Sequence, residues 1–549
     1  MSVENSGGFA LRVEGLRVAY PKGDGEAVVV DDLSFTVPRG RTVAIVGESG
    51  SGKSTTLHAL LGLNPRAARV DYRALEVRDH SGAVARVDDP RALRGRSVGL
   101  VPQDPTRALD PLVRIGKHFA ELHRHFLGVT DRDESARRTV AALESVGVSR
   151  PALRLRQYPH ELSGGLCQRV LIALALVGEP ELILADEPTS NLDATAQRQV
   201  LDLLDRLRAE RGLSVLLVTH DIAVAGERAD RLLVLREGRL VESGAARTLL
   251  AAPREPYTTR LLTSLPGNLP ERPALPADDP ARVVLEARGV GKTFGGRTGE
   301  RVDAVRDVDL TLRRGRTVAL VGESGAGKST LLRLITGLER PDSGTILLDG
   351  RHEHTTRAGR AAFARRVQLV YQNPSASLNP ALTIDRIVAE PLEAHRIGTR
   401  AERARRVREL LDSVELPADV AHRRPPQLSG GQLQRVAIAR ALALEPDVVV
   451  LDEPVSALDQ TVQFTLLQLL RRLQDRLAVA YLFVSHDLGV VRAVADEVLV
   501  MHGGRVEERG PTRTVFTTPA GPRTRALLDA VPELSAAPPP SPLVRTARR

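Results

Sequence analysis

The chain has 549 residues, 42% hydrophobic and 26% charged, with a formal net charge of +9; this exceeds a single hydrophobic core and predicts about two to four domains of a soluble globular protein. Its longest apolar runs, such as Val170–Val177, fall short of the roughly 18 residues that cross a bilayer, and MSVENSGG has neither a basic nor an apolar leader region, so the chain is expected to stay in the cytoplasm. A single cysteine, Cys167, excludes an internal disulfide and a zinc or iron–sulfur site of its own, and no dense Lys/Arg block with interleaved aromatics points to nucleic acid.

The first β-like stretch contains an aromatic, Tyr20 in LRVAY. A strand over Thr42–Val46 then runs into GESGSGKS, Gly47–Ser54, and a helical run. Such a loop needs glycine so that backbone N–H groups can wrap phosphate oxygens at a helix N-terminus. Lys53 is placed to reach the β- and γ-phosphates and Ser54 to put a hydroxyl on Mg²⁺. QDPTRALDP follows at Gln103–Pro111. From there to Ser163 the pattern is largely helical, with Leu112–Leu127 and Arg132–Val146 as the helices. LSGGLCQR, Leu162–Arg169, opens another helical run, and Ser-Gly-Gly at such a start is a second backbone-amide anion cradle. Buried-type strands are predicted at Leu182–Ala185 and Ser214–Thr219. The first ends in LILADEP, where Asp186 would orient Mg²⁺ and Glu187 would polarise the attacking water. The second ends in LLVTHD, where His220 would donate a hydrogen bond to a γ-phosphate.

The segment Ser264–Arg282, with prolines at 266, 270, 273, 276 and 280, reads as an extended linker. Then the same order begins again. Phe294 in GKTF precedes a strand at Thr317–Val321 and GESGAGKS, Gly322–Ser329, with Lys328 and Ser329. QNPSASLNP starts at Gln372 and LSGGQLQR spans Leu428–Arg435. Strands at Val448–Leu451 and Tyr481–Ser485 end in Asp452-Glu453 and in His486. The offset between copies shrinks from the lysines to the glutamines, shrinks again before Ser163/Ser429, then holds through both acids and both histidines. Length varies between motifs, where loops tolerate insertion. A lone Asp-Glu or histidine at a strand end is usually structural; recurrence at matched positions reverses that reading. Alternating strands and helices give an α/β class with a helical insert in each half. The tail from Ser535, with four prolines, reads as disordered.

These motifs, in this order and twice, resemble the ATP-binding cassette (ABC) ATPase family over nearly the whole chain. The resemblance implies two P-loop NTPase cassettes in tandem, each a mainly parallel sheet core with an antiparallel β subdomain and a helical subdomain. The first would occupy 1–263 with its post-cassette segment, the linker 264–282, the second cassette 283–534 and the disordered tail 535–549. It also implies head-to-tail pairing of the cassettes, with one ATP between the phosphate loop of each half and the Ser-Gly-Gly of the other. One site would use Gly47, Glu48, Ser49, Gly50, Ser51, Gly52, Lys53, Ser54, Thr55, Gln103, Asp186, Glu187 and His220 with Ser429, Gly430, Gly431 and Gln432. The other would use Gly322, Glu323, Ser324, Gly325, Ala326, Gly327, Lys328, Ser329, Thr330, Gln372, Asp452, Glu453 and His486 with Ser163, Gly164 and Gly165. Glu187, His220, Glu453 and His486 would be catalytic; Ser54, Gln103, Asp186, Ser329, Gln372 and Asp452 would surround Mg²⁺. Tyr20 and Phe294 would stack on adenine, and Asp193 and Asp459 would couple the sites. Leu166 replaces the glutamine usual in the signature and Asn191 a common alanine. Both acids and both histidines are kept, so two competent sites are expected.

QDPTRALDP, QNPSASLNP, YPHELSGG and the post-cassette EPYTTRLLTSLP (Glu255–Pro266) look like the oligopeptide and dipeptide importer ATPases, whose members energise uptake of peptides, nickel or glutathione. A degraded echo, PAGPRTRALLDAVP, occupies Pro519–Pro532. The implied partners are two transmembrane permease subunits and an extracytoplasmic solute-binding protein, with the chain on the cytoplasmic face of the membrane. Some members carry a cysteine cluster after the cassette; here there is none, so no Fe–S or Zn centre is expected beside ATP and Mg²⁺. Two rivals are weighed. Ribosome-associated tandem cassettes carry a long charged helical linker, unlike this proline-rich one, and an exporter ATPase is the other.

Overall fold

The computed structural model describes residues 8–23, 25–78, 83–190, 192–273, 280–295, 301–352, 356–456 and 458–531; Asn191 and the tail 535–549 lie outside them. The chain divides into two compact units, one built mainly on the residues before Ser264, the other on Ser264–Val531.

In the first unit a six-stranded sheet runs in the spatial order Val98–Val101, Leu182–Asp186, Ser214–Val218, Thr42–Val46, Arg231–Arg236, Arg239–Ala245. All neighbours are parallel except the last pair. Every residue of Thr42–Val46, Leu182–Asp186 and Ser214–Val218 is buried. That is why these strands read as unbroken apolar runs: a parallel sheet is covered on both faces. A second, antiparallel sheet is built on the pair Phe9–Lys22 and Gly25–Pro38. Its Leu11, Val13, Leu16 and Val30 share one core with Val43 and Ile45 of the parallel sheet and with Leu57 and Leu60 of the helix Lys53–Leu60. Each such side chain, removed from water, contributes about 1.5–3 kcal/mol, so the start of that helix is fixed against two sheets.

The helical part contains Ile115–Leu127, Arg132–Ser145 and Gly164–Ala175. Val170–Ala173 are buried in the last of these, the apolar run expected to be internal. Cys167, on the same helix, donates to the carbonyl of Pro159 at 3.3 Å, and burial pushes its thiol up to about 11.

The second unit repeats the plan. Its sheet runs Val367–Val370, Val448–Asp452, Ala480–Val484, Thr317–Val321, Glu497–His502, Arg505–Pro511, again with only the last pair antiparallel. An antiparallel sheet of Val283–Gly295, Arg301–Arg313 and Ser343–Leu348 packs on it. The helices Ile384–Ala394, Arg400–Ser413 and Gly430–Leu442 form its helical part. After the phosphate loop the two units differ. In the first, Ala74–Arg78 continues into an edge strand, Val84–Arg86; in the second the equivalent strand, Ser343–Leu348, is followed by the helix Arg357–Arg366. The extra residues that precede Gln103 fall in this region; the others lie between Gln103 and Ser163.

Within the segment Ser264–Arg282, whose residues 274–279 lie outside the described ones, the stretch 264–273 departs from the expectation of an extended linker. Pro266–Asn268 forms a 3₁₀ turn, and Leu269, 5% exposed, joins the core of the second unit. Arg272 pairs with the buried Asp496 at 3.1 Å and bonds Gln474, Glu271 pairs with Arg492 at 2.7 Å, and the Pro270 carbonyl accepts from Arg471 at 2.8 Å. A count of prolines hides these anchoring side chains.

Candidate active site

The C-terminal ends of three adjacent strands carry the chemistry of each unit. In open α/β sheets this edge is where ligands bind. After Thr42–Val46 the chain turns through Gly47–Gly52 into the helix Lys53–Leu60. A Cβ on Gly47 would lie 2.2 Å from the Leu235 carbonyl oxygen, and Gly52 enters the helix at φ 95°, a left-handed value open to glycine. Gly322 and Gly327 repeat both constraints, the first 2.2 Å from the Met501 carbonyl and the second at φ 102°. The loop thus presents backbone amides at a helix N-terminus, a cradle that suits phosphate.

Lys53 Nζ donates to the carbonyls of Gly47 and Glu48 at 2.8 and 2.9 Å, and Lys328 Nζ to those of Gly322 and Glu323 at 2.6 and 2.8 Å. Burial lowers the Lys328 pKa against the pull of Glu453 and Asp452. Both ammonium groups sit across the mouth of the loop they serve.

Glu187 and Glu453 stand just past their strands in left-handed backbone, φ 42° and 44°, conformations uncommon for residues with a Cβ. Backbone bonds impose them: Glu187 N–H donates to Val218 O at 2.9 Å and Glu453 N–H to Val484 O at 3.0 Å. Each carboxylate then collects the same partners. Gln103 Nε2 donates to Glu187 at 2.9 Å and Gln372 Nε2 to Glu453 at 2.7 Å. His220 Nδ1 lies 3.1 Å from Glu187 and His486 Nδ1 3.2 Å from Glu453. Burial opposes the charge on Glu187, but His220, Ser190 and Lys53 outweigh it and hold the carboxyl at about 2. Burial likewise disfavours charged His220 and His486, and the hydrogen bond and charge of the adjacent glutamate turn both upward. Both shifts favour a charged pair with the carboxylate ionised, the form that can accept a proton from water.

Asp186 and Asp452 behave differently. Burial raises both, with the neighbouring glutamate adding to it; the Ser54 hydroxyl, donating to Asp186 at 3.0 Å, pulls the other way, and Asp452 is pushed up to about 6. A hydroxyl against a carboxylate, with the amide of Gln103 nearby on Glu187, is a set of hard oxygen donors that fits Mg²⁺. Ser54, Asp186 and Gln103 would hold it in the first unit, Ser329, Asp452 and Gln372 in the second.

Lys53, Ser54, Gln103, Asp186, Glu187 and His220 are therefore one cluster, and Lys328, Gln372, Asp452, Glu453 and His486 form its counterpart, with Ser329 the residue after Lys328. The Ser-Gly-Gly turns lie elsewhere in each unit, at the N-termini of Gly164–Ala175 and Gly430–Leu442. Ser163 caps the first helix through Leu166 N–H and Ser429 the second through Gln432 N–H, both at 3.4 Å. Gln432 Oε1 also accepts from Ser429 N–H at 3.1 Å, completing a capping box. Leu166 cannot reciprocate. Glycine is needed at Gly431, where a Cβ would fall 2.5 Å from Val462. Asp459 caps Gln460–Leu477 through Val462 N–H at 3.0 Å.

The two candidate adenine aromatics are placed unequally. Phe294 is 40% exposed with Lys292 Nζ 5.6 Å from its ring. Tyr20 is half-buried against the core and its hydroxyl accepts from Asn64 at 3.1 Å. Sequence reasoning missed Ser190, whose hydroxyl donates to Glu187 at 2.9 Å, and Tyr257, whose hydroxyl accepts from Glu48 N–H at 3.1 Å. Tyr257 lies inside the quoted EPYTTRLLTSLP and Ser190 two residues past LILADEP, but nothing in either spacing shows a partner.

Comparison with known proteins adds family to geometry. The "ABC transporter" family model matches residues 30–190 and 305–456. A second model, "Oligopeptide/dipeptide transporter, C-terminal region", matches 241–304 and 507–544. The chain is 40% identical over 533 residues to the uncharacterized ABC transporter ATP-binding protein YejF of Escherichia coli K12, covering 94% of this chain and 98% of that one. It is 39% identical over 528 residues to the peptidoglycan transport ATP-binding protein YejF of Agrobacterium fabrum, covering 95% and 96%. Against the glutathione import ATP-binding protein GsiA of Salmonella typhimurium it is 38% identical over 562 residues, covering 95% and 89%. With two cassettes in tandem, each followed by the region typical of the oligopeptide/dipeptide group, the chain belongs to the ABC transporter family and is an ATPase.

Proposed function

We propose that the chain hydrolyses ATP at two composite sites and so powers uptake of peptides or a related small solute through two separate permease subunits, to which an extracytoplasmic binding protein delivers the solute. The observation that carries this reading is the oligopeptide/dipeptide C-terminal region matched after each cassette. The names of GsiA and the Agrobacterium YejF, import of glutathione and transport of peptidoglycan, agree with it. No described helix is long and apolar enough to cross a membrane.

At each site the phosphate loop receives the β- and γ-phosphates and the lysine exchanges its loop carbonyls for phosphate oxygens. The Ser-Gly-Gly turn of the other cassette contributes a second set of amides to the same nucleotide. Mg²⁺, when bound, supplies positive charge to the phosphates. Glu187 or Glu453, held ionised by its histidine and oriented by its glutamine, takes the proton of the attacking water. The nucleotide bridges the halves only while intact, so binding favours their closure and hydrolysis releases it.

Two measurements test this. Glu187→Gln and Glu453→Gln are each expected to cut ATP turnover to about half or below, and the double variant by at least about 100-fold, the usual worth of a general base. Full activity in one single variant with none in the other would refute two competent sites. For transport, the chain co-expressed with a permease pair of its own operon should bind membranes and gain ATPase activity from peptide-loaded binding protein. Sedimentation with ribosomes instead would favour the rival reading.

A further inference from the structure

The post-cassette helix Pro256–Thr263 reaches the phosphate loop of its own cassette. Tyr257, 3% exposed, lies under the guanidinium groups of Arg236 and Arg260, 5.2 and 5.4 Å from its ring. Its phenol oxygen accepts the 3.1 Å hydrogen bond from Glu48 N–H, the second residue of GESGSGKS. The carbonyl of the same residue accepts from Lys53 at 2.9 Å. Glu48 is thus gripped from both sides, by the phenol through its amide and by the ammonium through its carbonyl. The entry to the helix is anchored in turn, because the Glu242 carboxylate accepts from the backbone N–H groups of Arg254 and Glu255 at 2.9 and 3.3 Å.

The second cassette keeps the anchor and drops the grip. Glu508 accepts from Ala520 and Gly521 N–H at 2.9 and 3.0 Å, as Glu242 does from its pair. Aligning Pro253, Pro256, Thr258 and Leu261 with Pro519, Pro522, Thr524 and Leu527 places Arg523 where the first cassette has Tyr257. Arg523 pairs with Glu507.

We propose that Tyr257 is a positioning residue for ATP binding by the first phosphate loop: it fixes the loop at Glu48 when Lys53 leaves that carbonyl for phosphate, and it makes the two loops unequal in preorganisation. Preorganisation lowers the ordering that binding must supply. The inference rests on the ATPase activity of the family, not on the identity of any transported solute.

The test uses the full chain carrying Glu187→Gln and Glu453→Gln, which holds ATP without turnover, and reads both sites by calorimetric titration with MgATP. Adding Tyr257→Phe keeps the ring packed and removes only the acceptor. One site is expected to weaken about 2- to 10-fold, the range of one hydrogen bond, with the other unchanged. Amide exchange should quicken in the peptide containing Glu48 and not in that containing Glu323. Arg523→Gln is expected to alter neither site. Loss of thermal stability in Tyr257→Phe with both affinities intact would assign Tyr257 a packing role only and overturn the proposal, as would equal weakening at both sites.

Discussion

Ser51 and Ala326 occupy the same place in two nearly identical loops, and only the serine carries a hydroxyl that is buried without a hydrogen-bond partner. A buried polar group left unsatisfied costs about 1–3 kcal/mol. The second loop shows that alanine fits the same backbone. Ser51→Ala is therefore expected to stabilise the first cassette by about 1 kcal/mol, seen in urea denaturation as a higher midpoint at unchanged slope. A lower midpoint would mean the hydroxyl is satisfied. At this scale the sequence was most legible where a residue type has one chemical use at its position. The Asp-Glu pairs, the glutamines and the histidines all fall into one cluster per unit. Tyr20 and Phe294 were not separable, because what distinguishes them is Asn64, a neighbour in space with no counterpart in the motif.

Among elements, the two signature helices differ by one cap. Gly430–Leu442 begins with a reciprocal capping box between Ser429 and Gln432, while Gly164–Ala175 has only the serine half. Leu166→Gln offers Ser163 N–H its missing acceptor and is expected to stabilise the first helix by about 0.5–1 kcal/mol. Gln432→Leu should cost the second about as much, both read from the stability of the corresponding unfolding transition. Strand positions were legible to within a residue, since a strand buried on both faces is apolar throughout and stops where a polar catalytic residue begins. The helix expected from Leu112 starts instead at Ile115. Asp110 accepts from Leu112 N–H at 2.9 Å in a tight turn, which leaves Leu112 84% exposed. An apolar residue extended the periodic pattern past the true cap.

For the molecule as a whole, the two halves follow one plan with different supports at the same point. Asp230 accepts from Thr42 N–H at 2.9 Å and pairs with Arg41, its own strand's neighbour. Asp496 accepts from Thr317 N–H at 2.7 Å, but its guanidinium comes from Arg272 in the proline-rich segment. Removing one partner of a buried pair costs about 3–5 kcal/mol. A second-cassette fragment beginning at Ser264 is thus expected to be more stable than one beginning at Ala281 by about that amount, measured by denaturant titration; equal stabilities would show the ion pair to be idle. The boundary was hidden because prolines dominate the composition there, whereas Leu269 and Arg272 do the anchoring. This placement bears on how such a gene could be divided. A pair of separate cassettes descended from a chain of this kind would survive a break before Ser264. A break at the visually obvious proline run would hand the second product's N-terminal support to the first, which has no use for it.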